Sequence, residues 1–249
     1  MNLTGRTVLV TGGARGIGRE LTRQLVGQGA HVVAVGRDPG RLESLAAEHE
    51  GHVSAHVVDL ADPEATAAFA DALPRLHPGL SVVINNAGVQ TLTDFFREDP
   101  RDTRPVLRRE TALNLDAVTT LSTALLPHLR QLPSAAIVNI TSGLALTPKA
   151  SAPVYCATKA AVRTFTRALR YQCEAAAPHI RVIDAVLPLV DTDMTHGRGR
   201  GKISAARTAE AVLGGIRRER RELYIGRTRI LRVLLRLSPV LAYRILRNG

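Results

Sequence analysis

The chain has 249 residues and a mass of 26.8 kDa, and 45% of its residues are hydrophobic while 22% are charged. These values are typical of one large or two small globular domains, and they exclude a peptide hormone, a knottin, a collagen-like chain and wholesale disorder. The formal net charge of +11 resides entirely in residues 196–249, which contain 14 basic and 3 acidic side chains.

Apolar runs alternate with amphipathic stretches along most of the chain. Strand patterns cover residues 7–11, 31–36, 53–59, 81–85, 135–141 and 180–186, with a seventh at 222–225. Helical patterns cover residues 16–28, 39–49, 63–76, 107–132, 154–177 and 205–221, while residues 91–104 follow neither period. Six β/α alternations with short connections predict an α/β fold, a doubly wound parallel sheet of Rossmann type with helices on both faces.

The two cysteines, Cys156 and Cys173, fall in one predicted helix. About 25 Å of helix separates them, which is too far for a disulfide. The first residues carry no apolar signal segment, and no apolar run reaches 18 residues. We therefore expect a cytoplasmic protein, and the basic tail leaves peripheral membrane contact open.

A glycine-rich turn joins the first strand pattern to the first helix pattern. Gly12, Gly16 and Gly18 give the spacing GxxxGxG. Glycines allow a tight turn and a close approach to a pyrophosphate, which then meets free N–H groups at the positive end of the helix. The turn predicts a dinucleotide site, and the alternative is a purely structural turn.

The end of the second strand indicates which dinucleotide is bound. A site for NAD would carry an acidic residue there for the ribose 2′-hydroxyl, whereas here Gly36 is followed by Arg37. Arg15 lies in the glycine turn. Two guanidinium groups near one phosphate favour NADP(H), because a charge pair at ~4 Å contributes about 4 kcal/mol at an effective dielectric of about 20. The alternative is that Arg37 is a solvated loop cation.

A second signal is the spacing of Tyr155 and Lys159, four residues apart on a predicted helix. With 4 tyrosines and 3 lysines in the chain, this pair seldom arises by chance. The two side chains share one helix face, where an ammonium lowers the pKa of a neighbouring phenol and suits it to acid–base catalysis. An ordinary surface pair is the alternative.

Together with further motifs, the chain resembles the short-chain dehydrogenases/reductases over about residues 3–195. The motifs follow in that family's order: the glycine turn, Asn85-Asn86-Ala87-Gly88, Asn114, Ser142, and Tyr155 with Lys159. Ser142 precedes Tyr155 by 13 positions, which is the spacing of the family. The resemblance implies a reductase for a carbonyl compound, or a dehydrogenase for the alcohol, that uses NADP(H).

The resemblance also implies roles for four catalytic residues. Tyr155 would be the general acid in reduction and the base in oxidation. Lys159 would lower its pKa and hold the nicotinamide ribose, and Ser142 would bind the substrate oxygen. Asn114 would position a water that passes protons from Lys159 to solvent.

The same resemblance assigns the cofactor contacts. They are Gly12, Arg15, Gly16, Ile17, Gly18, Arg37, Asp59, Leu60, Asn86, Ala87, Gly88, Tyr155, Lys159, Pro188, Val190 and Thr192. The family commonly has glycine after the proline at 188, and this chain has Leu189, which predicts a bulkier wall beside the nicotinamide. No metal ligands are expected.

Within the family, residues 140–145, 153–161 and 237–242 resemble a bacterial subgroup that includes the proteins named after the D-alanyl-lipoteichoic acid operon. The side chains expected to face the substrate are aliphatic, which favours an apolar carbonyl compound over a free sugar. They are Leu144, Ala145, Leu146, Leu187, Leu189 and Met194. Two other functions stay open: a non-redox step that uses Tyr155, and an NADP-binding, membrane-associated accessory protein.

The basic tail completes the predicted organisation. Residues 1–227 are predicted as a Rossmann-type dinucleotide-binding and catalytic domain with a substrate loop at about 188–204, and residues 228–249 as a basic amphipathic helical extension. Ser238 and Pro239 predict a break between two short helices there. The extension packs on the protein or a dimer partner, anchors to a membrane surface, or binds an acidic protein.

The resemblance further implies a homodimer or homotetramer, formed by the helices at 107–132 and 154–177. A small-molecule carbonyl or alcohol is the expected substrate. No nucleic-acid partner is expected, because the Arg/Gly repeats near residue 200 are too short for such a motif.

Overall fold

The computed structural model describes residues 1–197 and 199–247, and in them seven strands form one parallel sheet. The strands of this sheet are β1 (Thr7–Thr11), β2 (His31–Gly36), β3 (Val53–Val57), β4 (Leu80–Asn85), β5 (Ala135–Ser142), β6 (Ile180–Leu187) and, numbered after two short strands given below, β9 (Glu222–Tyr224). Their order is β3-β2-β1-β4-β5-β6-β9, and every neighbouring pair is parallel. The predicted doubly wound fold is confirmed.

Helices cover both faces of this sheet. They are α1 (Gly16–Val26), α2 (Pro39–Glu48), α3 (Pro63–Leu76), α4 (Pro100–Thr111), α5 (Ala117–Ala124), α6 (Leu126–Leu129), α7 (Pro153–Ala176) and α8 (Ala205–Arg217). The predicted N-cap at Asp62 is present, because its carboxylate accepts hydrogen bonds from the backbone N–H groups of Glu64 and Ala65. Pro63 follows it as the first helical residue.

The core has two layers because successive strand residues point to opposite faces. Val8 and Val10 of β1 pack with Leu21 and Leu213 on one face. Leu9, between them, packs with Leu121 on the other. The strand order reverses between β1 and β4, so a crevice opens at the carboxyl ends of these two strands, where ligands of such sheets bind.

The largest difference from the predicted elements lies between residues 100 and 132. A helix begins at Pro100 rather than near residue 107, because the Asp99 carboxylate caps it by accepting from the N–H of Arg101. Most of its residues are exposed, so the sequence there lacks the helical spacing of apolar residues that would predict it. The predicted single helix is also interrupted by a π-helical turn at Ala112–Asp116 and ends at Leu129.

Smaller differences concern element ends, which fray. The first helix stops at Val26, the third strand at Val57 and the helix after residue 205 at Arg217, two to four residues before their predicted ends. Two short strands, β7 (Val190–Asp191) and β8 (Ile203–Ser204), pair with each other outside the main sheet. Their pairing brings together the two ends of the loop between Asp191 and Ile203.

The C-terminal part forms the two predicted helices, α9 (Thr228–Leu237) and α10 (Pro239–Leu246), with the break at Ser238. The Thr228 hydroxyl donates to the carbonyl oxygen of Val186 at 3.2 Å, which fixes the start of α9 to β6. Leu231 lies within contact distance of Gly143, at the end of β5. The extension therefore rests beside the carboxyl edge of the sheet.

Candidate active site

The turn between β1 and α1 has a backbone that only glycine accommodates. Gly12 and Gly16 have φ angles of +66° and +47°. A Cβ atom on Gly18 would lie 2.0 Å from the carbonyl oxygen of Gly12. Helix α1 therefore begins directly at the turn, and the three glycines allow its backbone segments to lie close to one another.

The start of α1 is suited to an anion. Arg15 precedes the helix, its side chain provides no cap for the free N–H groups, and the first turn contains no acidic residue. Unsatisfied N–H groups and the helix dipole therefore point into the crevice without a protein partner of opposite charge. The pyrophosphate of a dinucleotide fits this arrangement, and Gly12, Gly16, Ile17 and Gly18 would hold it.

The segment after β4 forms the facing wall. Thr11 Oγ1 accepts hydrogen bonds from the backbone N–H groups of Asn86 and Ala87, both at 2.9 Å, and Asn86 Nδ2 donates to the Thr11 carbonyl oxygen at 2.9 Å. A Cβ on Gly88 would lie 3.1 Å from Asn114 Oδ1 and 3.4 Å from Lys159 Nζ. The wall therefore connects the glycine turn with the predicted catalytic residues.

Four further predicted cofactor contacts are Arg15 in the glycine turn, Arg37 after β2, and Asp59 and Leu60 after β3. Arg15 and Arg37 are exposed, and neither guanidinium donates a hydrogen bond to another described residue. Burial opposes the ionised form of Asp59, yet its pKa is lowered by a 2.6 Å hydrogen bond from Arg109 Nη2 and by the charges of Arg109 and Arg37. Leu60 is buried in the core, so only its backbone remains for a cofactor.

Ser142 and Tyr155 meet at the carboxyl edge of β5. Ser142 ends that strand, and Tyr155 lies in the first turn of α7. Burial of the phenol raises the pKa of Tyr155 to about 12 and outweighs the lowering effect of the nearby Ser142 hydroxyl. The nearby carboxyl of Glu110 adds to the rise. Tyr155 as a whole residue is half-buried.

Lys159 lies one helical turn after Tyr155 and is almost fully buried. Its Nζ donates to the carbonyl oxygen of Ile140 at 3.0 Å and is 5.9 Å from the centre of the Tyr155 ring. Burial lowers the pKa of Lys159 to about 8, although Asp184 and Glu110 oppose the shift. Desolvation dominates both groups, and the effect of Lys159 on the pKa of Tyr155 stays a prediction.

We expect Lys159→Met to raise the free energy of unfolding at pH 7 by roughly 1–3 kcal/mol, because it removes a buried ammonium. The pKa of Lys159 is about 8 in the folded chain, whereas in the unfolded chain it has its ordinary value of 10.5. The unfolded chain thus binds more protons between these values, so wild-type stability rises with pH in this window and the gap between the proteins narrows. Urea unfolding at pH 7 and at pH 10 measures the difference in the free energy of unfolding between Lys159→Met and the wild type. A gap that does not depend on pH contradicts the shift, and Lys202→Met, at a surface pair with Asp191, is the control.

Asn114 occupies the π-helical turn and is fully buried. Its Oδ1 accepts from the N–H of Val89, and its Nδ2 donates to the Val89 carbonyl oxygen, both at 2.9 Å. Nδ2 also reaches Thr158 Oγ1 at 3.3 Å. The side chain is therefore committed to fixing the segment after β4 against α7, and π-helical turns of this kind are frequent at functional sites.

Sequence reasoning missed Glu110, which is the one buried residue of α4. Its side chain is inaccessible, Oε2 accepts from the N–H of Thr91 at 3.3 Å, and its charge acts on Tyr155, Cys156 and Lys159. The only signal in the sequence was an acidic residue four positions before Asn114, on the same helix face. That signal is weak in a segment rich in charged residues.

The segment after β6 differs from its prediction in detail. Val190 is buried in the core, so a cofactor meets only its backbone. Thr192 lies against Gly16, where a Cβ would be 3.2 Å from Thr192 Cγ2. Pro188 is half-buried, and Leu189 packs towards Gly199 of the following loop. Pro188 and Thr192 thus stand beside the crevice, and the bulk of Leu189 supports the loop.

The aliphatic residues expected around a substrate do not all reach it. Leu187 is buried in the core, which contradicts that expectation. Leu144, Ala145 and Leu146 are half-buried after Ser142, and Met194 is exposed. A groove of about 670 Å³ lies beside the site, between α4 and the first turn of α7, and neither Ser142 nor Tyr155 lines it.

The loop after β7 is part of the segment at 188–204 that the sequence predicts as a substrate loop. Lys202 Nζ donates to the Thr195 carbonyl oxygen at 2.7 Å, and Gly201 packs against the Arg227 guanidinium. Arg198, part of the predicted basic loop, lies outside the described residues. Within the described residues no cluster of His, Cys, Asp or Glu suits a metal ion, and no helix is both long and apolar enough to cross a membrane.

Comparison with known proteins gives one consistent result. A family model described as short chain dehydrogenase matches residues 6–202. The uncharacterized oxidoreductase DltE of Bacillus subtilis (strain 168) is 36% identical over 230 residues, which cover 90% of this chain and 89% of that protein. The L-xylulose reductase of Homo sapiens is 36% identical over 190 residues, which cover 76% and 72% respectively.

Two solved structures are similar in fold and sequence. A short chain dehydrogenase from Burkholderia cenocepacia J2315 in complex with NADP superposes with a TM-score of 0.86 at 25% identity, covering 100% of both chains. A short-chain dehydrogenase from Sphingobium yanoikuyae in complex with NADPH gives a TM-score of 0.80 at 26% identity, covering 95% of each chain.

Proposed function

This chain belongs to the short-chain dehydrogenase family, and from that premise we propose that it reduces the carbonyl group of a largely apolar small molecule with NADPH, or oxidises the corresponding alcohol. Membership makes the chain an NAD(P)-dependent oxidoreductase. The observation that carries the proposal is that Ser142, at the end of β5, lies near enough to act on the phenol of Tyr155 in the first turn of α7, beside Lys159 and at the same sheet edge as the glycine turn. The NADP and NADPH bound by the two similar structures support the choice of cofactor.

The chain's own groups divide the work as follows. Bound NADPH supplies the hydride for the carbonyl carbon. The Ser142 hydroxyl binds and orients the carbonyl oxygen, and Tyr155 donates its phenolic proton to that oxygen as negative charge develops. A phenol with a pKa of about 12 is a weak acid. The ammonium of Lys159, 5.9 Å from the centre of the ring, would stabilise the phenolate that remains. Asn114 fixes the segment after β4 to Thr158, the residue before Lys159.

The proposal is tested with a panel of apolar carbonyl compounds, namely benzaldehyde, acetophenone, cyclohexanone, 2-decanone and 9,10-phenanthrenequinone. Loss of NADPH absorbance and formation of the alcohol are measured together. We expect one alcohol for each NADPH consumed. Conversion of a substrate without NADPH consumption would instead support the non-redox function.

Arg37 is proposed to bind the 2′-phosphate of NADPH together with Arg15. Arg37→Asp should therefore lower the preference for NADPH over NADH by about 10- to 100-fold, because it replaces a charge-assisted contact of about 1.5–3 kcal/mol with a repulsive one. Binding of both cofactors is measured by fluorescence titration. Arg218→Asp makes the same charge change at the opposite sheet edge, beyond the end of α8, and should leave the preference unchanged. An unaltered preference in Arg37→Asp removes Arg37 from this role.

The proposed assembly is a homodimer or homotetramer through α4 to α7. Phe96 and Val106, before and within α4, are exposed apolar side chains of the kind that a second copy would cover. Sedimentation equilibrium should give a mass of two or four chains, and a monomer mass contradicts the assembly.

A second candidate function concerns the helices α9 and α10, residues of the predicted extension at 228–249. Ile230, Val233, Leu237 and Val240 are between 55% and 79% exposed, and arginines flank them at 229, 232, 236 and 244. Two copies of this face would repel each other by charge, whereas an anionic lipid surface attracts it. We therefore propose membrane-surface contact over a second copy or an acidic protein.

Cosedimentation with vesicles of phosphatidylcholine and phosphatidylglycerol tests this contact with the full chain. Leu237→Asp and Val240→Asp together should reduce the bound fraction at least about fivefold, since each buried aliphatic side chain contributes about 1.5 kcal/mol or more. Val57→Asp, at an exposed aliphatic residue at the end of β3, is the control. Equal binding of the double variant and the wild type contradicts the proposal.

A further inference from the structure

Three histidines lie together where the last turn of α3 packs on the β2–β3 side of the sheet. His31 begins β2, His56 lies in β3, and His77 directly follows the last residue of α3. The ring centres of His56 and His77 are 5.1 Å apart, and those of His31 and His77 are 6.4 Å apart. All three residues are half-buried, and the proposed reaction uses none of them.

His56 and His77 are joined by a hydrogen bond between two ring nitrogens. Their Nε2 atoms are 2.9 Å apart, and the two rings are nearly perpendicular. An imidazole nitrogen donates when it carries a hydrogen and accepts when it does not. Two neutral rings satisfy this bond, and so does a pair that has gained one proton. When each ring has gained a proton, both nitrogens carry hydrogens and the bond cannot form.

The surroundings of the pair contain nothing that compensates a second positive charge. From β2 it is faced by His31, whose Nε2 pairs with Ser54 Oγ at 2.8 Å, and from α3 by Phe69, whose ring centre is 5.3 Å from that of His56. Burial lowers the pKa of both His56 and His77, and the charges of His56 and His31 lower the pKa of His77 further. No carboxylate of the described residues counters these shifts.

The pair joins the end of α3 to a strand that has few other contacts. β3 lies at the edge of the sheet beside β2, and within Val53–Val57 no residue is fully buried. The end of α3 is fixed separately to the next strand, because the N–H of Leu80, the first residue of β4, donates to the His77 carbonyl oxygen at 2.9 Å. Loss of the His56–His77 bond would therefore weaken the attachment of β3 more than that of α3.

β3 leads directly into the proposed adenine side of the crevice. Asp59 comes three residues after His56 and accepts a hydrogen bond from Arg109 Nη2 at 2.6 Å. Asp62 then caps the start of α3. The histidine pair ties the other end of α3 back to β3, so the strand, the connection and the helix form a closed unit that holds Asp59 in place.

We propose that His56 and His77 form an acid-sensitive contact that holds β3 on α3. The contact persists while the pair carries at most one added proton, and it breaks once each ring carries its own. Repulsion between two half-buried cations then loosens β3, and the wall around Asp59 loses its fixed position. NADPH binds more weakly in that state; this consequence, unlike the contact itself, rests on the proposed function.

Urea unfolding at pH 7.5 and at pH 5.0 tests the contact without cofactor. Because the pKa of both rings is below the ordinary 6.5 in the folded chain, the unfolded chain binds more protons in acid, so the wild type becomes less stable as the pH falls. His77→Gln retains a hydrogen-bonding side chain that takes up no proton. Between the two pH values, its equilibrium constant for unfolding should rise at least about threefold less than that of the wild type.

The matched control is His52→Gln, at an exposed histidine directly before β3. Its equilibrium constant for unfolding should rise with acid as that of the wild type does. An equal rise in His77→Gln and the wild type overturns the proposed contact.

A second measurement needs only the wild type and decides the question even where the variant does not fold. The chain has 8 histidines, and ¹⁵N labelling of their rings allows each to be followed by NMR. The rings of His56 and His77 should titrate in coupled steps, below the ordinary pKa of histidine. Independent titration of both rings at the ordinary value overturns the proposal.

NADPH titration at the same two pH values tests the consequence for the crevice. From pH 7.5 to pH 5.0 the wild type should lose at least about threefold more affinity than His77→Gln, since protonation of the 2′-phosphate weakens binding to both proteins alike. Equal losses contradict the link between the histidine pair and the crevice. If the wild type binds no NADPH at either pH, the proposed function fails, whereas the unfolding measurement still decides whether the acid-sensitive contact exists.

Discussion

Tyr155→Phe is expected to lower kcat for carbonyl reduction by about 10²- to 10⁴-fold, the range of a lost general acid. The substitution removes one oxygen atom and leaves the ring in place in the first turn of α7. The carbonyl oxygen then lacks its proton donor. NADPH affinity should stay within about threefold, because the glycine turn and the start of α1 are unaltered.

The matched control is Tyr171→Phe, on the same helix but 61% exposed. Rates for both variants are compared with one panel compound at saturating NADPH, and cofactor binding is measured separately by fluorescence. A wild-type rate in Tyr155→Phe refutes the catalytic assignment. Loss of NADPH binding in that variant would instead show that the phenol serves the cofactor more than the proton transfer.

Gly18→Ala is expected to abolish NADPH binding at micromolar cofactor and to destabilise the fold by about 1–3 kcal/mol or more. The added Cβ would lie 2.0 Å from the carbonyl oxygen of Gly12 and 2.8 Å from Asn86 Nδ2. Neither neighbour has room to move, because Gly12 belongs to the turn itself and Asn86 is bound to Thr11. The turn must open, and the N–H groups at the start of α1 lose their alignment.

Gly27→Ala at the other end of α1 is the control. Gly27 has a helical φ of −61°, and its added Cβ would meet its nearest atom at 3.4 Å, an ordinary contact. Thermal unfolding and NADPH titration compare the stability and the cofactor affinity of both variants with those of the wild type. We expect Gly27→Ala to match the wild type or exceed its stability slightly. Wild-type NADPH affinity in Gly18→Ala would show that the turn does not receive the pyrophosphate.

The sheet and most helices could be predicted from the sequence because local signals were strong. Residues 7–11 and 31–36 are continuous apolar strands, and Asp62 with Pro63 gives a helix start. The start of α4 could not be predicted from periodicity, since that helix is mostly exposed and one aspartate cap defines it. The π-helical turn at 112–116 results from tertiary packing around Asn114, which no local pattern encodes.

The candidate site was predictable in its members and less so in its electrostatics. Motif order and spacing brought out Ser142, Tyr155 and Lys159, and the structure places them at one edge of the sheet. The sign of their pKa shifts depends on how deeply each group is buried, a property of the folded chain. Leu187 and Val190 were assigned to the crevice, whereas the strand geometry turns both side chains into the core.

Transfer of deuterium from the C4 position of NADPH is the most direct test of the central claim, that this crevice carries out hydride reduction of a carbonyl. The protein is given a carbonyl compound of the panel that it reduces, together with NADPH carrying deuterium on one C4 face and then on the other. The alcohol formed is analysed by mass spectrometry. We predict that label from one face alone appears on the carbinol carbon, and that Tyr155→Phe loses this product. Product without label from either face would contradict the account.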